Sequence, residues 1–485
     1  MRNFKLTIII LLVFIFNQSN AGIYEVLAIK PIYEKNKLTG YYLVSRNLEK
    51  FKKTPIYTIS KCDVSMKPII SVEEPRNMYD DVISAAVNDS AFCVMYNFNG
   101  NSGIKNVTNG EAEIVTYSSK DLKQLGTTRL LNKVAMWHIN STIVANGNNG
   151  FIFTGMFFED KVFKGMIHYD NKLNVKWKFE NVFNHPEKII PLPYTETVDQ
   201  NLYTFYVRKS RLNTPKIYTG LLINKVNDGS MVINHAFNSD DIKIIEKPAL
   251  YSDGKNGVLF AQYNLSKNNG NLLLKANKDR GLLFLTFDLT TKKTEEKLLN
   301  LGSEEFLSKL DENDRIRFKK SGPRLNPIRA TKIGDSYFVI GETYSNIGYD
   351  VLVNFTSSYQ QCSDRIFVAE FDLNLNLKKI NFFKKTYKTF TTSNEVSHSS
   401  TYYRGSFLDM RMHDDKNGFT FRYIDITGKE TADHITVSYN NGTFKTSSLP
   451  MFRKGPNYTL NAMEAKPGKI NVIKRVNNVF EITEE

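Results

Sequence analysis

Short runs of apolar and aromatic residues recur along this chain, and each follows a polar turn pair such as Asn-Gly or Asp-Ser. A polar turn that leads into such a run predicts the start of a β-strand. Eight starts follow one another, and their second turn residues are Gly40, Ser90, Gly150, Asn201, Gly257, Ser336, Gly418 and Gly468. Most lie about 50 to 60 residues apart, which suits a four-stranded structural repeat.

Most of these starts are followed by a second signal, an apolar strand that ends in a polar hairpin turn. Residues 283–287 run into Asp288, and residues 435–439 run into Asn440 and Asn441. Asn, Asp, Gly, Ser and Thr are the residues that hairpin turns require. The pattern therefore predicts four strands in each unit. The strand that begins at the polar turn pair, which we call the anchor strand, is followed by a connection and a hairpin of two further strands, and a fourth strand lies just before the anchor strand.

One phrase of the repeat occurs twice, at residues 169–176 and again at 371–378. Both copies read aromatic-Asp-x-x-Leu-Asn-aliphatic-Lys, with Asp170 and Asp372 at equivalent places. Self-similarity of this kind is typical of repeat architectures. We predict an all-β fold, a β-propeller of about seven four-stranded blades with one short helical insertion; eight blades is the alternative count. Tandem β-sandwiches are the main rival, and a β-helix is a weaker one.

The anchor and hairpin patterns together resemble the degenerate blade repeat of secreted bacterial β-propellers. The resemblance is closest over residues 149–177, where Trp177 stands at the hairpin position, and Leu173 and Leu375 stand where that repeat usually has glycine. The chain is also similar in style to uncharacterised exported proteins of Bacteroidetes. This resemblance implies a fold and no reaction.

The amino terminus has the pattern of a secretory signal peptide. Arg2 and Lys5 precede the apolar run 6–16, and a small-x-small site ends at Ala21. We predict cleavage after Ala21, a single β-propeller domain over residues 22–485, and a location outside the cell or in the periplasm or cell envelope. No later stretch is apolar enough to predict a transmembrane segment.

The chain is strongly basic, with 64 Lys and Arg against 50 Asp and Glu, hence a net charge of +14. Loss of Arg2 and Lys5 leaves 14 − 2 = +12. For an exported chain this favours an anionic glycan, lipid head group or acidic protein as partner, and no nucleic acid. A lysine-rich, solvated strand edge is the interpretation we favour for the lysines at 378, 379, 384 and 385.

Chemistry-bearing motifs are scarce. Three cysteines, Cys62, Cys93 and Cys362, predict one disulfide and one free thiol, with the pairing open. Cys93 lies in an apolar strand and reads as a small buried hydrophobe. No nucleophile elbow, zinc-protease, phosphate-loop or EF-hand motif is present, so no catalytic residue, cofactor or metal site is assigned.

Two of the repeat steps are long and predict insertions, around residues 344–365 and 264–280. If each anchor is the second strand of its blade, both insertions join strands two and three, on the face where propellers usually bind ligands. Insertions on one face of a repeat protein often mark the binding face. We therefore name Tyr344, Tyr349 and Tyr359 as candidate ligand-binding residues. A tolerated loop without a partner is the alternative.

One segment breaks the β pattern. Ser303 followed by Glu304 and Glu305 predicts a short helix that ends before Asn313. The densest basic cluster follows at Arg315, Arg317, Lys319, Lys320, Arg324 and Arg329. We interpret it as a solvated linker, with a site for an acidic partner as the alternative.

The hypothesis from sequence is an exported β-propeller that binds an extracellular or cell-envelope protein or glycan. The alternative is an extracellular glycan-active hydrolase or lyase with an active site at the channel mouth. The enzyme requires paired carboxylates or a His-carboxylate set that converge in space and face solvent.

Overall fold

The computed structural model describes residues 24–34, 37–47, 56–64, 67–76, 81–98, 110–132, 142–158, 162–180, 188–209, 217–237, 242–244, 248–265, 280–321, 323–346, 351–353, 356–394, 407–413, 415–427, 431–452, 459–466, 469–476 and 479–484. They fall into two compact units, one within Met1–Val82 and Asn457–Glu485 and one within Ile83–Pro456. The prediction of a single domain over 22–485 stays a prediction.

The first unit contains two antiparallel sheets. Sheet 1 has the order β1-β2-β3-β4, at Tyr24–Glu34, Lys37–Asn47, Ile56–Cys62 and Pro68–Pro75. Sheet 8 has the order β31-β32-β33, at Thr459–Lys466, Lys469–Val476 and Val479–Glu484. Strand β1 pairs with β2 in sheet 1, and β33 lies beside β1.

The second unit contains six sheets in chain order. Sheet 2 has β5 to β8, at Asp81–Val87, Ala91–Phe98, Gly110–Ser118 and Gln124–Asn132. Sheet 3 has β9 to β12, at Thr142–Ala145, Phe151–Phe158, Val162–Tyr169 and Val175–Glu180. Sheet 4 has β13 to β16, at Lys188–Val198, Asn201–Lys209, Ile217–Lys225 and Met231–Ala236. A 3-10 turn at Gly147–Asn149 precedes β10, and one residue pair, Phe158 with Leu131, joins sheets 2 and 3.

Sheets 5 to 7 continue the series. Sheet 5 has β17 to β21, at Ile242–Ile244, Ala249–Ser252, Asn256–Leu265, Arg280–Asp288 and Thr294–Asn300. Sheet 6 has β22 to β26, at Arg324–Ile333, Ser336–Asn346, Val351–Val353, Thr356–Asp372 and Leu377–Asn394. Sheet 7 has β27 to β30, at Phe407–Met412, Gly418–Ile426, Thr431–Asn440 and Thr443–Phe452. Two helices lie between sheets 5 and 6, α1 at Glu304–Leu307 and α2 at Glu312–Ser321.

Sheets 1 to 7 each have the four-stranded antiparallel meander of a propeller blade, in sheets 5 and 6 with one additional short strand, and sheet 8 has three strands. Each of the eight starts read from the sequence lies on, or directly before, the second strand of its sheet. The fold is therefore all-β, with the strand arrangement of a β-propeller, as predicted. The sequence pattern marks the second strand of each sheet because a polar turn leads directly into the long apolar run of that strand.

Within the second unit, the core is formed between successive sheets. Side chains alternate along β19: Leu259, Ala261 and Tyr263 pack with the core of sheet 4, whereas Val258 and Phe260 pack with sheet 6. A strand covered on both faces carries a nearly continuous apolar run because both sets of alternate positions are buried. The polar turns then mark the two ends of each strand.

The repeated phrase forms the same turn twice. The Asp170 carboxylate accepts hydrogen bonds from the backbone N–H of Lys172 and Asn174, at 2.8 and 2.9 Å, and from the Asn174 side chain at 3.0 Å. Asp372 makes the same bonds with Asn374 and Asn376. Such local side-chain bonds satisfy backbone donors that the hairpin leaves unpaired.

Leucine stands in these turns where the resembled repeat has glycine, and the backbone there is left-handed, with φ of 64° at Leu173 and 59° at Leu375. A non-glycine residue in that region costs about 1–3 kcal/mol. Both side chains are buried in the intersheet cores, and full burial of a leucine contributes about 1.5–3 kcal/mol. Burial thus offsets the strained backbone, which explains leucine at these positions.

Trp177, the one hairpin tryptophan of the resembled pattern, joins sheet 3 to sheet 4. Its indole N–H donates a hydrogen bond to the Val226 carbonyl at 2.9 Å. The ring lies so close to Gly229 that a Cβ there would be 2.7 Å from it. Gly229 also has φ of 72°, so both the backbone and the approaching ring require glycine.

The cysteines do not form the predicted disulfide. Cys62 and Cys93 are both free and buried, so neither pairs with Cys362, whose side chain lies outside the described residues. Burial raises the pKa of the Cys62 thiol to about 12, with a further contribution from Asp63, and burial also raises that of Cys93. Cys93 is the small buried hydrophobe that we expected, and the prediction of one disulfide is wrong.

Candidate functional site

The insertion around residues 344–365 extends sheet 6 rather than forming an irregular loop. Strands β25 and β26 have 17 and 18 residues, whereas their counterparts in sheet 3, β11 and β12, have 8 and 6. In the part of β25 that precedes Arg365, the strand pairs with β23 on one side and with β26 on the other. Strand β24 pairs with the first residues of β25. The expectation of a surface loop is therefore wrong over this described part, because the polar segment continues the β-ladder.

The three tyrosines named from sequence fall on this extension. Tyr344 lies near the end of β23, opposite Ser363, and Tyr359 lies on β25, opposite Ser393 of β26. The side chains of both are outside the described residues, as is the whole of Tyr349, most of the segment 264–280, and the cleavage site at Ala21. The backbone places Tyr344 and Tyr359 on one ribbon, and their roles stay predictions.

A β-bulge lies where the extension leaves the sheet. The register of β25 shifts between Ser363 and Arg365, so Asp364 has no opposing residue on β26. In a regular strand, adjacent side chains point to opposite faces, but a bulge re-aims one of them. Here the consecutive residues Asp364 and Arg365 both contact helix α2.

Two ion pairs hold α2 against the bulge. Arg317 donates to Asp364 at 2.5 Å, and Arg365 donates to Asp314, which is buried. Asp314 and Arg317 are one helical turn apart, so their opposite charges face the opposite charges of the two strand residues. Burial alone would raise the pKa of Asp364, but hydrogen bonds from Arg317 and Thr343 hold it below its usual value.

This arrangement corrects the interpretation of the basic cluster as a solvated linker. The helix predicted from Ser303 is present as α1, and the Ser303 hydroxyl accepts a hydrogen bond from the Phe306 N–H at its start. The following segment is a second helix, in which Phe318 is buried against Phe306. Arg317 is paired, and Arg324 is fully buried at the start of β22.

A cleft of about 270 Å³ lies between α2 and β26, beside the bulge. One wall carries Asp311 and Asp314, and the other carries Asn381 and Lys384, with Arg365 between them. Apolar atoms of Leu310, Ile380 and Phe382 complete the lining. The Arg365 guanidinium lies over the Phe382 ring, 5.6 Å from its centroid, so the ring and the Asp314 carboxylate fix its position.

The opposite face of sheet 6 buries a second group of charges, against sheet 7. Glu342 of β23 lies 4.0 Å from the Lys385 ammonium, and both side chains are fully buried. Asp425 of β28 accepts hydrogen bonds from the Thr386 N–H at 2.8 Å and hydroxyl at 2.7 Å. Burial and the neighbouring Asp425 raise the pKa of Tyr423 to about 12. Lys385 is thus buried, whereas the lysines at 378, 379 and 384 are exposed as expected.

The buried charges share one edge of the sheets, which we call the insertion edge: the edge at which the second strand passes to the third in sheets 5, 6 and 7. Among strand residues whose burial the structure describes, the buried Arg, Lys, Asp and Glu are Arg280, Arg324, Glu342, Lys385 and Asp425, and all five lie at this edge. The opposite edge buries neutral residues at or beside the turns, such as Asn88 and Asn224. Buried charges away from a partner are costly, so their concentration at one edge marks it as the candidate functional region.

Sequence reasoning identified the edge but missed the charged residues. Asp364 and Arg365 follow a polar run and resemble loop residues, and Lys385 stands among solvated lysines. The available signal was the apolar-polar alternation of β26, which places Lys385 on the same face as Phe383. Among the described residues, no group of three or more His, Cys, Asp and Glu is arranged to hold a metal ion. No described helix is long and apolar enough to cross a bilayer.

No family model matches the chain, and no curated protein matches it. Among solved structures, it is similar to the quinohemoprotein alcohol dehydrogenase ADHIIG of Pseudomonas putida HK5, at 9% identity and a TM-score of 0.41, over 94% of this chain and 72% of that one. It is similar to the plexin A4 extracellular region at 10% identity and a TM-score of 0.34, over 83% of this chain and 49% of that one.

A third similar structure is the α-L-arabinofuranosidase Arb93A of Fusarium graminearum, at 11% identity and a TM-score of 0.31, over 83% of this chain and 92% of that one. These likenesses are too distant to carry an argument. The fold assignment depends on the sheet order described above, and the comparisons assign no activity to this chain.

Proposed function

We propose that the protein is an exported β-propeller that binds a protein or glycan of the cell surface or its surroundings through the insertion edge. The observation that carries the proposal is the extension of sheet 6, where β25 is about twice as long as its counterpart β11 in sheet 3 and β26 is about three times as long as its counterpart β12. A ribbon that continues beyond the sheet adds surface without adding to the intersheet core. The proposal that the protein is exported depends on the signal peptide predicted from the sequence. The proposal that it belongs with the secreted bacterial propellers depends on the resemblance of its repeat.

The cluster between sheets 6 and 7 does not favour the hydrolase or lyase. Glu342 and Asp425 are buried, and each already interacts with a neighbouring residue, Lys385 and Thr386 respectively. A glycosidase needs two carboxylates that reach the scissile bond from solvent. Binding is therefore the better-supported function, and turnover of extracellular polysaccharides is the assay for the alternative.

The test uses the mature chain, residues 22–485, immobilised and exposed to a glycan array and to cell-surface extracts. We expect a ligand that the chain binds and that the triple variant Y344S/Y349S/Y359S binds at least about tenfold more weakly, as loss of two or three ring contacts implies. The control is K120S/K172S, which changes exposed residues of turns at the opposite edge. Equal binding by all three proteins, or polysaccharide cleavage, would contradict the proposal.

A further inference from the structure

Two buried polar side chains lie on one face of sheet 5, at the insertion edge. Gln262 of β19 is 3% exposed, and Arg280, the first residue of β20, is 9% exposed. Gln262 is opposite Leu282, and Arg280 lies two residues before Leu282. Side chains at such diagonal positions start about 7–8 Å apart, a distance that long side chains span. The amide and the guanidinium can therefore reach the same bound group.

Strand alternation directs both side chains toward sheet 6. Phe260, two residues before Gln262, and Leu282, two residues after Arg280, belong to the core that sheet 5 shares with sheet 6. Leu325 of β22 belongs to the same core, and β22 lies against β19 and β20. The two polar side chains thus lie in the gap between sheets 5 and 6, where the apolar core ends.

Both side chains carry buried donors that the described part of the chain leaves without an acceptor. These donors are Nε2 of Gln262 and Nε of Arg280. Burial lowers the pKa of the Arg280 guanidinium, as expected for a cation that is removed from water. A buried cation and a buried amide are costly unless each finds a partner, so the gap favours a ligand that accepts hydrogen bonds and carries negative charge.

The carboxylates that sheet 6 and α2 supply on this side are already engaged. Asp364 accepts a hydrogen bond from Arg317. Asp314 accepts one from Arg365. Two carboxylates are thus matched to two arginines, and Arg280 is a third arginine for which the described residues supply no carboxylate. The charge that the gap lacks is a single negative charge.

The next gap, between sheets 6 and 7, contains such a carboxylate at the equivalent position. Gln262 of sheet 5 is equivalent to Glu342 of sheet 6. Each lies six residues after the residue that pairs with the hairpin aspartate, which is Asp288 in sheet 5 and Asp372 in sheet 6. The Glu342 carboxylate lies 4.0 Å from the buried Lys385 ammonium. Sheet 5 has an amide in place of this carboxylate, beside a buried guanidinium.

We infer that the gap between sheets 5 and 6 binds a carboxylate group, held by Arg280 and Gln262. A guanidinium donates two parallel hydrogen bonds to the two oxygens of a carboxylate, and the Gln262 amide donates to one of the same oxygens. A carboxylate balances one positive charge, whereas sulfate or phosphate would bury further negative charge beside apolar side chains. The inference goes beyond the proposed function, because this site is separate from the extension of sheet 6.

The experiment is calorimetry and thermal melting of the mature chain with acetate and glucuronate, in a buffer free of other carboxylates and of chloride. Acetamide and glucuronamide are the neutral counterparts, and sulfate and chloride are the other anions. We expect both carboxylates to bind and to raise the melting temperature, and the amides to do neither. Equal binding of the two acids supports recognition of the carboxylate alone, and tighter binding of glucuronate supports an acid presented by a sugar.

Three variants test the two residues. R280M keeps an apolar stem without the charge and should weaken acetate binding at least about tenfold, and Q262M should weaken it about threefold. Q262E introduces the residue of sheet 6, so its own carboxylate should pair with Arg280. It should raise the melting temperature without ligand and weaken acetate binding at least as much as R280M does. The matched control is R329M, because Arg329 is exposed on β22.

The inference fails if no carboxylate binds, if the amides bind as well as the acids, or if sulfate or chloride binds more tightly than both acids. It also fails if R280M binds acetate as well as the wild type does, or if R329M loses as much affinity as R280M. A lower melting temperature for ligand-free Q262E would overturn it too, because Arg280 would then not lack a carboxylate. The result is separable from the proposed function, since Y344S/Y349S/Y359S should bind acetate as the wild type does.

Discussion

Sheets 3 and 6 contain the same turn but differ at the other end of their strands. Asp170 and Asp372 make matching hydrogen bonds, and Leu173 and Leu375 adopt the same left-handed backbone beside the core. At the edge where the second strand passes to the third, the last described pair of sheet 3 is Phe158–Val162, whereas sheet 6 continues into the extension. The repeat is retained where it closes the core and is altered where strand ends are free to add surface.

The sharpest difference between the two sheets is at one position. After the equivalent glycines Gly155 and Gly341, sheet 3 has Met156 and sheet 6 has Glu342. A fully buried glutamate is costly, and in sheet 6 the ammonium of Lys385 lies 4.0 Å away. Replacing Glu342 with methionine, the residue that sheet 3 has at this position, therefore tests how much the buried Glu342 and Lys385 stabilise each other.

We expect Glu342→Met to lower the free energy of unfolding by about 3 kcal/mol or more, because it leaves the Lys385 ammonium buried without this carboxylate. The double variant E342M/K385M should recover most of that loss, since well-packed apolar side chains commonly replace a buried ion pair without penalty. Denaturant unfolding measured by tryptophan fluorescence gives both values. Glu295→Ala, at an exposed position, is the control and should stay within about 0.5 kcal/mol of the wild type.

If the double variant were as unstable as the single one, Glu342 and Lys385 would not act as a pair. The interactions that each residue makes with other neighbours would then contribute more to stability than the interaction between Glu342 and Lys385.

The shared turn gives a second, smaller test. Leu375→Gly and Leu173→Gly relieve a left-handed backbone but remove a buried side chain, so we expect a net loss of about 1–2 kcal/mol in each. Lys292→Gly is the matched control, because Lys292 has φ of 59° and is exposed. It relieves the backbone without loss of burial and should be neutral or stabilising by up to about 1 kcal/mol.

Calorimetric melting distinguishes these cases. A loss in Lys292→Gly equal to that in the leucine variants would show that glycine flexibility, rather than lost burial, determines the result. Stabilisation in all three would show that the leucines are retained for a reason other than packing.

The fold could be predicted because the chain repeats its local chemistry. Each second strand begins at a polar turn, and the Asp-x-x-Leu-Asn turn is visible in the letters at both places. Helix α1 was predictable from the Ser303 cap and the acids after it, but α2 was not. Its charged residues suggested a linker, and the pairing of Asp314 and Arg317 with β25 is a tertiary contact that no local pattern shows.

The candidate site was predictable as a region and not as a set of residues. The excess of residues after Gly341 located the insertion edge, but the length of β25 and the bulge at Asp364 depend on pairing between distant strands. The cleft likewise requires α2 and β26 to meet. A disulfide was predicted from cysteine number alone, and Cys62 and Cys93 show that number is a poor guide when both are small buried hydrophobes.

The smallest expected effect concerns the pH dependence of the two matching turns. Burial would raise the pKa of Asp170 and of Asp372, but the hydrogen bonds from Asn174 and Asn376 and the turn N–H groups outweigh it, so both values are lowered. A lowered pKa in the folded state means that the stabilisation is complete above the unfolded value, about 3.9, and is lost as the pH falls below it. The same direction applies to Asp253 and Asp288.

We expect D170N and D372N each to lower stability by about 0.5 kcal/mol at pH 7 and to make the loss of stability between about pH 5 and pH 2 shallower. Denaturant unfolding across that pH range measures both. Asp335→Asn, at an exposed turn position before β23, is the control for the loss of one surface carboxylate. Because the turns match, the two variants should behave alike; a clear difference would mean that Lys297, which donates to the Asn374 carbonyl and the Asn376 side chain in sheet 6, contributes as much as the turn itself.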